Sequence, residues 1–165
     1  MPDDRADRPN TVPWPPLLYV GCAVLGIVLD RVLPLPWPVD GALTPPGLTL
    51  MAAALGLDVW AMLTMSRQRA NILPHRAATA LVTGGPFAWS RNPIYLGNTL
   101  LLAGAAFAFA SPWLLPMAAL AAALVTRLAI RREEAHLAAR FGPAWAAYCA
   151  TTARWIGRSA SRITT

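Results

Sequence analysis

The chain has 165 residues, 56% of them hydrophobic and only 13% charged, with a formal charge of +6. A soluble domain of this length carries about 25% charged residues, so a soluble globular enzyme is excluded. All 14 basic residues are arginine, and they sit between apolar runs rather than along one polar stripe, which argues for a membrane protein and against nucleic-acid binding.

The N-terminal stretch, MPDDRADRPNTVPWPP, mixes acids and bases and lacks the charge pattern of a signal peptide, so the first apolar run is expected to be a retained helix. Four apolar segments follow, at about Leu17–Leu33, Leu48–Met65, Ile94–Ala110 and Trp113–Ile130. Each approaches the roughly 17–25 residues that cross a hydrocarbon core, and helices are required because an open sheet in lipid leaves backbone groups unpaired. The expected fold is therefore all-α and polytopic, with about four transmembrane helices. Ser111-Pro112 between the third and fourth predicts a tight hairpin, with proline suited to a helix start. Gly97 and Gly104 on the third helix, among alanines, allow close helix approach.

Arginine placement sets the topology. The loop between helices one and two carries Asp40 and no arginine. The next loop holds Arg67, Arg69, Arg76 and Arg91, and the tail after helix four holds Arg131, Arg132, Arg140, Arg154, Arg158 and Arg162. The positive-inside rule then puts both termini, the long loop and the tail in the cytoplasm. The expected organisation is an N-terminal tail over 1–16, one membrane domain over 17–156 and a C-terminal tail over 157–165. Cys22 and Cys149 have no CxxC partner and no disulfide framework.

Two polar clusters fall on the arginine-rich side. The first is the 66–95 region, ending in LVTGGPFAWSRNPIYLG. Gly84-Gly85-Pro86 fits a tight turn whose amides can face a ligand. Pro93 biases Asn92 away from helix, so a span starts there and its free amides favour a carboxylate. Arg91 adds a permanent charge with bidentate geometry. A loop that only touches lipid headgroups is the alternative. The second cluster spans 131–154 and begins Arg131-Arg132-Glu133-Glu134. Acids near a helix C-terminus oppose its dipole, which points to a cationic partner, either a protein arginine or a positively charged ligand. Leu137, Phe141, Trp145 and Tyr148 then recur at near-helical spacing, as in an amphipathic helix lying on the cytosolic membrane surface. Glu133-x-x-His136 has the spacing of half a di-iron site, but no second copy exists, so no metal is expected. Asp58, inside the second span, is expected to pair with a polar group of a neighbouring helix.

As an ordered set, Gly-Pro-aromatic, Arg-Asn-Pro-x-Tyr, a hairpin, Glu-Glu and Phe-Gly-x-x-Trp-x-x-Tyr resemble the isoprenylcysteine carboxyl methyltransferase family, related to the phospholipid N-methyltransferases. The likeness covers about 79–154. It implies an integral-membrane enzyme of bacterial type, in the inner (cell) membrane, that takes S-adenosyl-L-methionine from the cytosol and methylates a lipid-like or small hydrophobic acceptor, with a carboxylate as the candidate acceptor group. By the same resemblance, the cofactor contacts are Thr79, Ala80, Leu81, Val82, Phe87, Asn92, Pro93, Ile94, Tyr95 and Glu133, with Glu134 as second choice of the acid pair. Arg91, Asn92 and Tyr95 are the candidate catalytic residues. Arg127, Arg131, Trp89 and Trp145 are the candidate substrate contacts, around a pocket that opens to the bilayer. The chain departs from the eukaryotic pattern in Asn92 for histidine, Phe87 for tyrosine, and Ala129 where an arginine would meet a substrate carboxylate. A lipid N-methyltransferase, or a non-catalytic scaffold of the same fold, is the alternative.

Overall fold

The structure is a computed structural model that describes residues 14–37, 41–68 and 80–157. Thr79, Arg69, Arg76, Asp40, Arg158 and Arg162 lie outside the described residues. Among those described there are helices and turns but no strand. Helix α1 spans Trp14–Val32, α2 Thr44–Arg67, α3 Pro93–Ala108, α4 Leu114–Val125 and α5 Arg131–Thr151. A π-helical turn over Thr126–Ile130 joins α4 to α5 without a break. Helices α1 and α2, and the continuous α4–α5 run, are long and apolar enough to cross a membrane. Helix α3 has 16 residues, about 24 Å at 1.5 Å per residue, and ends sooner than expected. It stops because Ala110 takes a positive φ of 50° and turns the chain into the hairpin.

Helices α2 and α3 pack antiparallel through small residues. A Cβ on Gly47 would sit 2.8 Å from Ala108 Cα and 2.9 Å from the Gly104 carbonyl oxygen, and one on Gly104 3.0 Å from the Gly47 carbonyl oxygen. Gly47, Ala54 and Ala61, seven residues apart, are the buried positions of α2. Large apolar side chains such as Leu55, Val59 and Leu63 point outward, as lipid contact requires. Gly97 meets α2 where Asp58 lies, and a Cβ there would be 2.7 Å from Asp58 Cγ and 3.1 Å from the Ala54 carbonyl oxygen. Among the described residues Asp58 Oδ1 is buried without a hydrogen bond, so the polar partner expected for it is not met at that atom. The carboxylate instead faces the groove that Gly97 leaves open.

Helix α1 lies against α4 and α3. Gly26 leaves room for Leu114 and Met117, and the Tyr19 hydroxyl donates to the Tyr95 carbonyl at 2.9 Å and lies 2.9 Å from Thr99 Oγ1. The α3–α4 hairpin is tied back to α1 by Ser111 Oγ on the Asp30 carboxylate and by Trp113 Nε1 on the Leu33 carbonyl at 2.8 Å. This end of the bundle is closed. The opposite end, bearing Arg67, Arg91 and Arg154, carries the polar residues.

Candidate active site

The loop entering α3 is built on the end of α2. Gly85 has φ +60°, and a Cβ there would stand 2.9 Å from Thr64 Oγ1, so glycine is needed twice over, for conformation and for space. The chain then makes one 3-10 turn over Gly85–Ala88, which buries Pro86 and Phe87. The amides of Phe87, Trp89 and Ser90 donate back within this turn, that of Arg91 to the Ala153 carbonyl, and that of Asn92 to Ser90 Oγ. The Gly-Gly-Pro turn is therefore tight, as the sequence requires, but most of its amides are used internally. Pro93 has no N–H, and Leu96 N–H returns to the Asn92 carbonyl. This leaves the amides of Ile94 and Tyr95 as the first-turn donors without an intrahelical acceptor.

The acid pair reaches this loop through the irregular helix above it. One additional residue in a helical turn rotates everything beyond it by about 100°, so the π turn at Thr126–Ile130 sets which face of α5 carries the glutamates. The Tyr95 hydroxyl donates to Glu133 Oε1 at 2.7 Å. Glu134 takes two arginines: Arg91 Nη2 at 3.0 Å from Oε1, and Arg154, whose Nε lies 3.0 and 3.1 Å from the two oxygens and Nη2 2.6 Å from Oε2. Arg91 and Glu134 keep only 12% and 15% of their side-chain surface, so screening by water is weak. The Glu134 carboxylate holds the Arg154 guanidinium above its already high range. Arg91 also stacks over Trp145, with 5.6 Å from Cζ to the ring centroid. Its Nε and His136 Nε2 are buried without a hydrogen-bond partner among the described residues.

Beneath these charges lies an apolar floor of Ala61, Val82, Phe87, Trp145 and Tyr148, flanked by Leu81, Ile94, Leu137 and Phe141. The Tyr148 hydroxyl donates to the Phe87 carbonyl at 2.6 Å. The amphipathic stripe of α5 thus packs on protein rather than serving only as a membrane anchor. The helix is also not straight: Gly142, at φ 45° and ψ −117°, breaks it ahead of Pro143. That bend brings Trp145 and Tyr148 down onto the loop.

The structure therefore gathers Leu81, Val82, Phe87, Arg91, Asn92, Ile94, Tyr95, Glu133, Glu134 and Trp145 at one end of the bundle. Ala80 and Pro93 adjoin them in the chain. Arg127 and Arg131 are exposed on the outer side of the helical run and make no hydrogen bond or ion pair among the described residues, and Trp89 is 68% exposed. Trp145 is 8% exposed and lies under the Arg91 guanidinium. Sequence reasoning missed the role of Arg154, counted only as a topology marker, and that of Ser90. The misplaced Glu133-Glu134 pair was the available signal, and one of its two offered partners, a protein arginine, holds for Glu134.

The family model described as phospholipid methyltransferase matches residues 44–144, more than half of the chain. The match runs from the start of α2 past the kink in α5 and includes the first polar cluster and the beginning of the second, with Glu133 and Glu134, but ends before Trp145, Tyr148 and Arg154. It agrees with the kinship to isoprenylcysteine carboxyl and phospholipid methyltransferases read from the motifs. No curated protein matches at a significant level.

Proposed function

The chain belongs to the phospholipid methyltransferase family, and we propose that it transfers a methyl group from S-adenosyl-L-methionine to an acceptor carried on a hydrophobic molecule. The site is at the cytoplasmic face of a cell membrane. The observation that carries this reading is the Tyr95–Glu133 hydrogen bond beside the helix-start amides of Ile94 and Tyr95. An oriented acid and helix-start amides without an intrahelical acceptor suit a ligand with a cationic and an anionic end, so the residues fit the cofactor. When bound, it supplies an electrophilic methyl group on a sulfonium centre.

Glu133, held by Tyr95, takes the cationic end, and the amides of Ile94 and Tyr95 take the carboxylate. Ala80, Leu81, Val82, Phe87 and Pro93 shape the apolar wall, with Thr79 preceding them in the chain. The floor under Trp145 excludes water, so the rate comes from alignment and desolvation. The acceptor's lone pair forms the new bond to the methyl carbon as the sulfur–methyl bond breaks. Arg127, Arg131 and Trp89, exposed at the rim, meet the acceptor's headgroup. The lipid bilayer is the partner that delivers it; neither a metal nor a nucleic acid enters.

An amine acceptor on a phospholipid is the second reading. Arg91 and Arg154 are both engaged by Glu134, so among the described residues an acceptor carboxylate finds no spare arginine at the centre of the site. Purified protein incubated with methyl-labelled cofactor and lipid extract tests both readings. Label in the lipid fraction is expected; base-labile label marks an ester and base-stable label an amine. Label that never exceeds the level of a Glu133→Gln control overturns the proposal.

A further inference from the structure

Arg154 lies beyond α5, in a segment with no helix of its own, and yet it is held at both ends. Its carbonyl accepts from Asn92 Nδ2 at 3.1 Å and from Ser90 Oγ at 3.4 Å. Its guanidinium forks onto Glu134. On either side, Arg91 N–H donates to the Ala153 carbonyl at 3.0 Å and Gly157 N–H to the Trp89 carbonyl at 2.9 Å. A further turn closes the segment on itself, from Ala153 N–H to the Gly157 carbonyl at 3.0 Å. The chain from 153 to 157 is thus strapped along the loop from 89 to 92, and Arg91 reaches the same carboxylate from the loop side.

We propose that this strap is what positions the cofactor loop, and that Arg154, Glu134 and Asn92 are positioning residues rather than ligands of the methyl donor. The inference rests on the function proposed above. A carboxylate has about four acceptor sites, and Glu134 gives three to arginine N–H groups, with two positive charges against its one. A cationic ligand gains nothing there. Glu133, one residue earlier, points to Tyr95 instead, so neighbouring acids do different work: one fixes the wall, the other faces the ligand. Asn92 follows the same logic. Its amide nitrogen is directed to a main-chain carbonyl, a contact that needs a donor at every pH, which asparagine supplies and neutral histidine supplies in only one tautomer.

The test uses the full chain in lipid nanodiscs, with two readouts: amide hydrogen exchange at Arg91 and Gly157, and equilibrium binding of S-adenosylmethionine. Arg154→Ala and Glu134→Gln are each expected to lose protection at both amides and to weaken binding about tenfold, the value of one charge-assisted hydrogen bond. The double variant should bind no worse than either single one, because both remove the same clamp. Glu133→Gln should weaken binding while keeping both amides protected. Protection unchanged in Arg154→Ala overturns the strap. Protection lost with wild-type binding overturns the positioning role. A wild-type protein that binds no cofactor overturns the proposed function and the positioning role with it, while the exchange data still decide whether the strap exists.

Discussion

Substituting Gly47 by alanine probes the contact that sets the register of α2 on α3. The added Cβ meets only backbone: Ala108 Cα at 2.8 Å and the Gly104 carbonyl oxygen at 2.9 Å, with the Ala108 nitrogen closer still. Carbon atoms pack best at about 3.5–4.0 Å, so the two helices must part by nearly an ångström. Overpacking of this kind costs about 1–3 kcal/mol. Gly56, on the same helix, has nothing within 4 Å of its Cβ position. There, alanine meets no obstacle and gains up to about 1 kcal/mol of helix propensity. Unfolding of both variants in mixed micelles, read by circular dichroism against added denaturing detergent, should therefore move in opposite directions. Gly56→Ala should be neutral or stabilising and Gly47→Ala destabilising. Equal stability of the two variants would refute the close α2–α3 packing, and with it the placement of Ala61 beneath the site.

Three further outcomes follow from the same geometry. Tyr148→Phe leaves the Phe87 carbonyl without its 2.6 Å donor in a buried setting, which should cost about 1–3 kcal/mol in thermal unfolding; an unchanged midpoint would place the hydroxyl elsewhere. Gly142→Ala meets no atom within 4 Å but forces a side chain onto φ 45°. It should destabilise by about 1–3 kcal/mol through backbone strain, and a gain in stability would mean that α5 runs straight. Tyr95→Phe removes the donor to Glu133 and should weaken cofactor binding about tenfold, since hydrogen bonds to charged groups contribute about 1.5–3 kcal/mol; full retention would detach Tyr95 from the site.

The spans, the hairpin and the glycine contacts were legible because each is written in local chemistry: apolar length, a Ser-Pro break, small residues at helical spacing. The convergence of the 80–95 and 131–154 regions was legible through the acids of Glu133-Glu134, which are unfavourable where they stand unless something cationic meets them. What answered Glu134 could not be read, because Arg154 is twenty residues away and comes back only through the bend at Gly142. The π turn at Thr126–Ile130 was equally hidden. Nothing in TRLAI differs from ordinary helix, so the rotation that sets which face of α5 carries Glu133 and Glu134 is a property of packing. The surface-helix expectation for Leu137, Phe141, Trp145 and Tyr148 identified the apolar stripe but not what covers it. Membrane and protein floor select for the same residues.

The central claim is that Glu133, oriented by Tyr95, receives the methyl donor. Equilibrium dialysis of labelled S-adenosylmethionine against the purified protein in nanodiscs tests it most directly. Saturable binding by the wild type, lost or reduced about tenfold or more in Glu133→Gln at unchanged thermal stability, is the predicted result. Binding that survives Glu133→Gln intact, or no saturable binding at all, would contradict it.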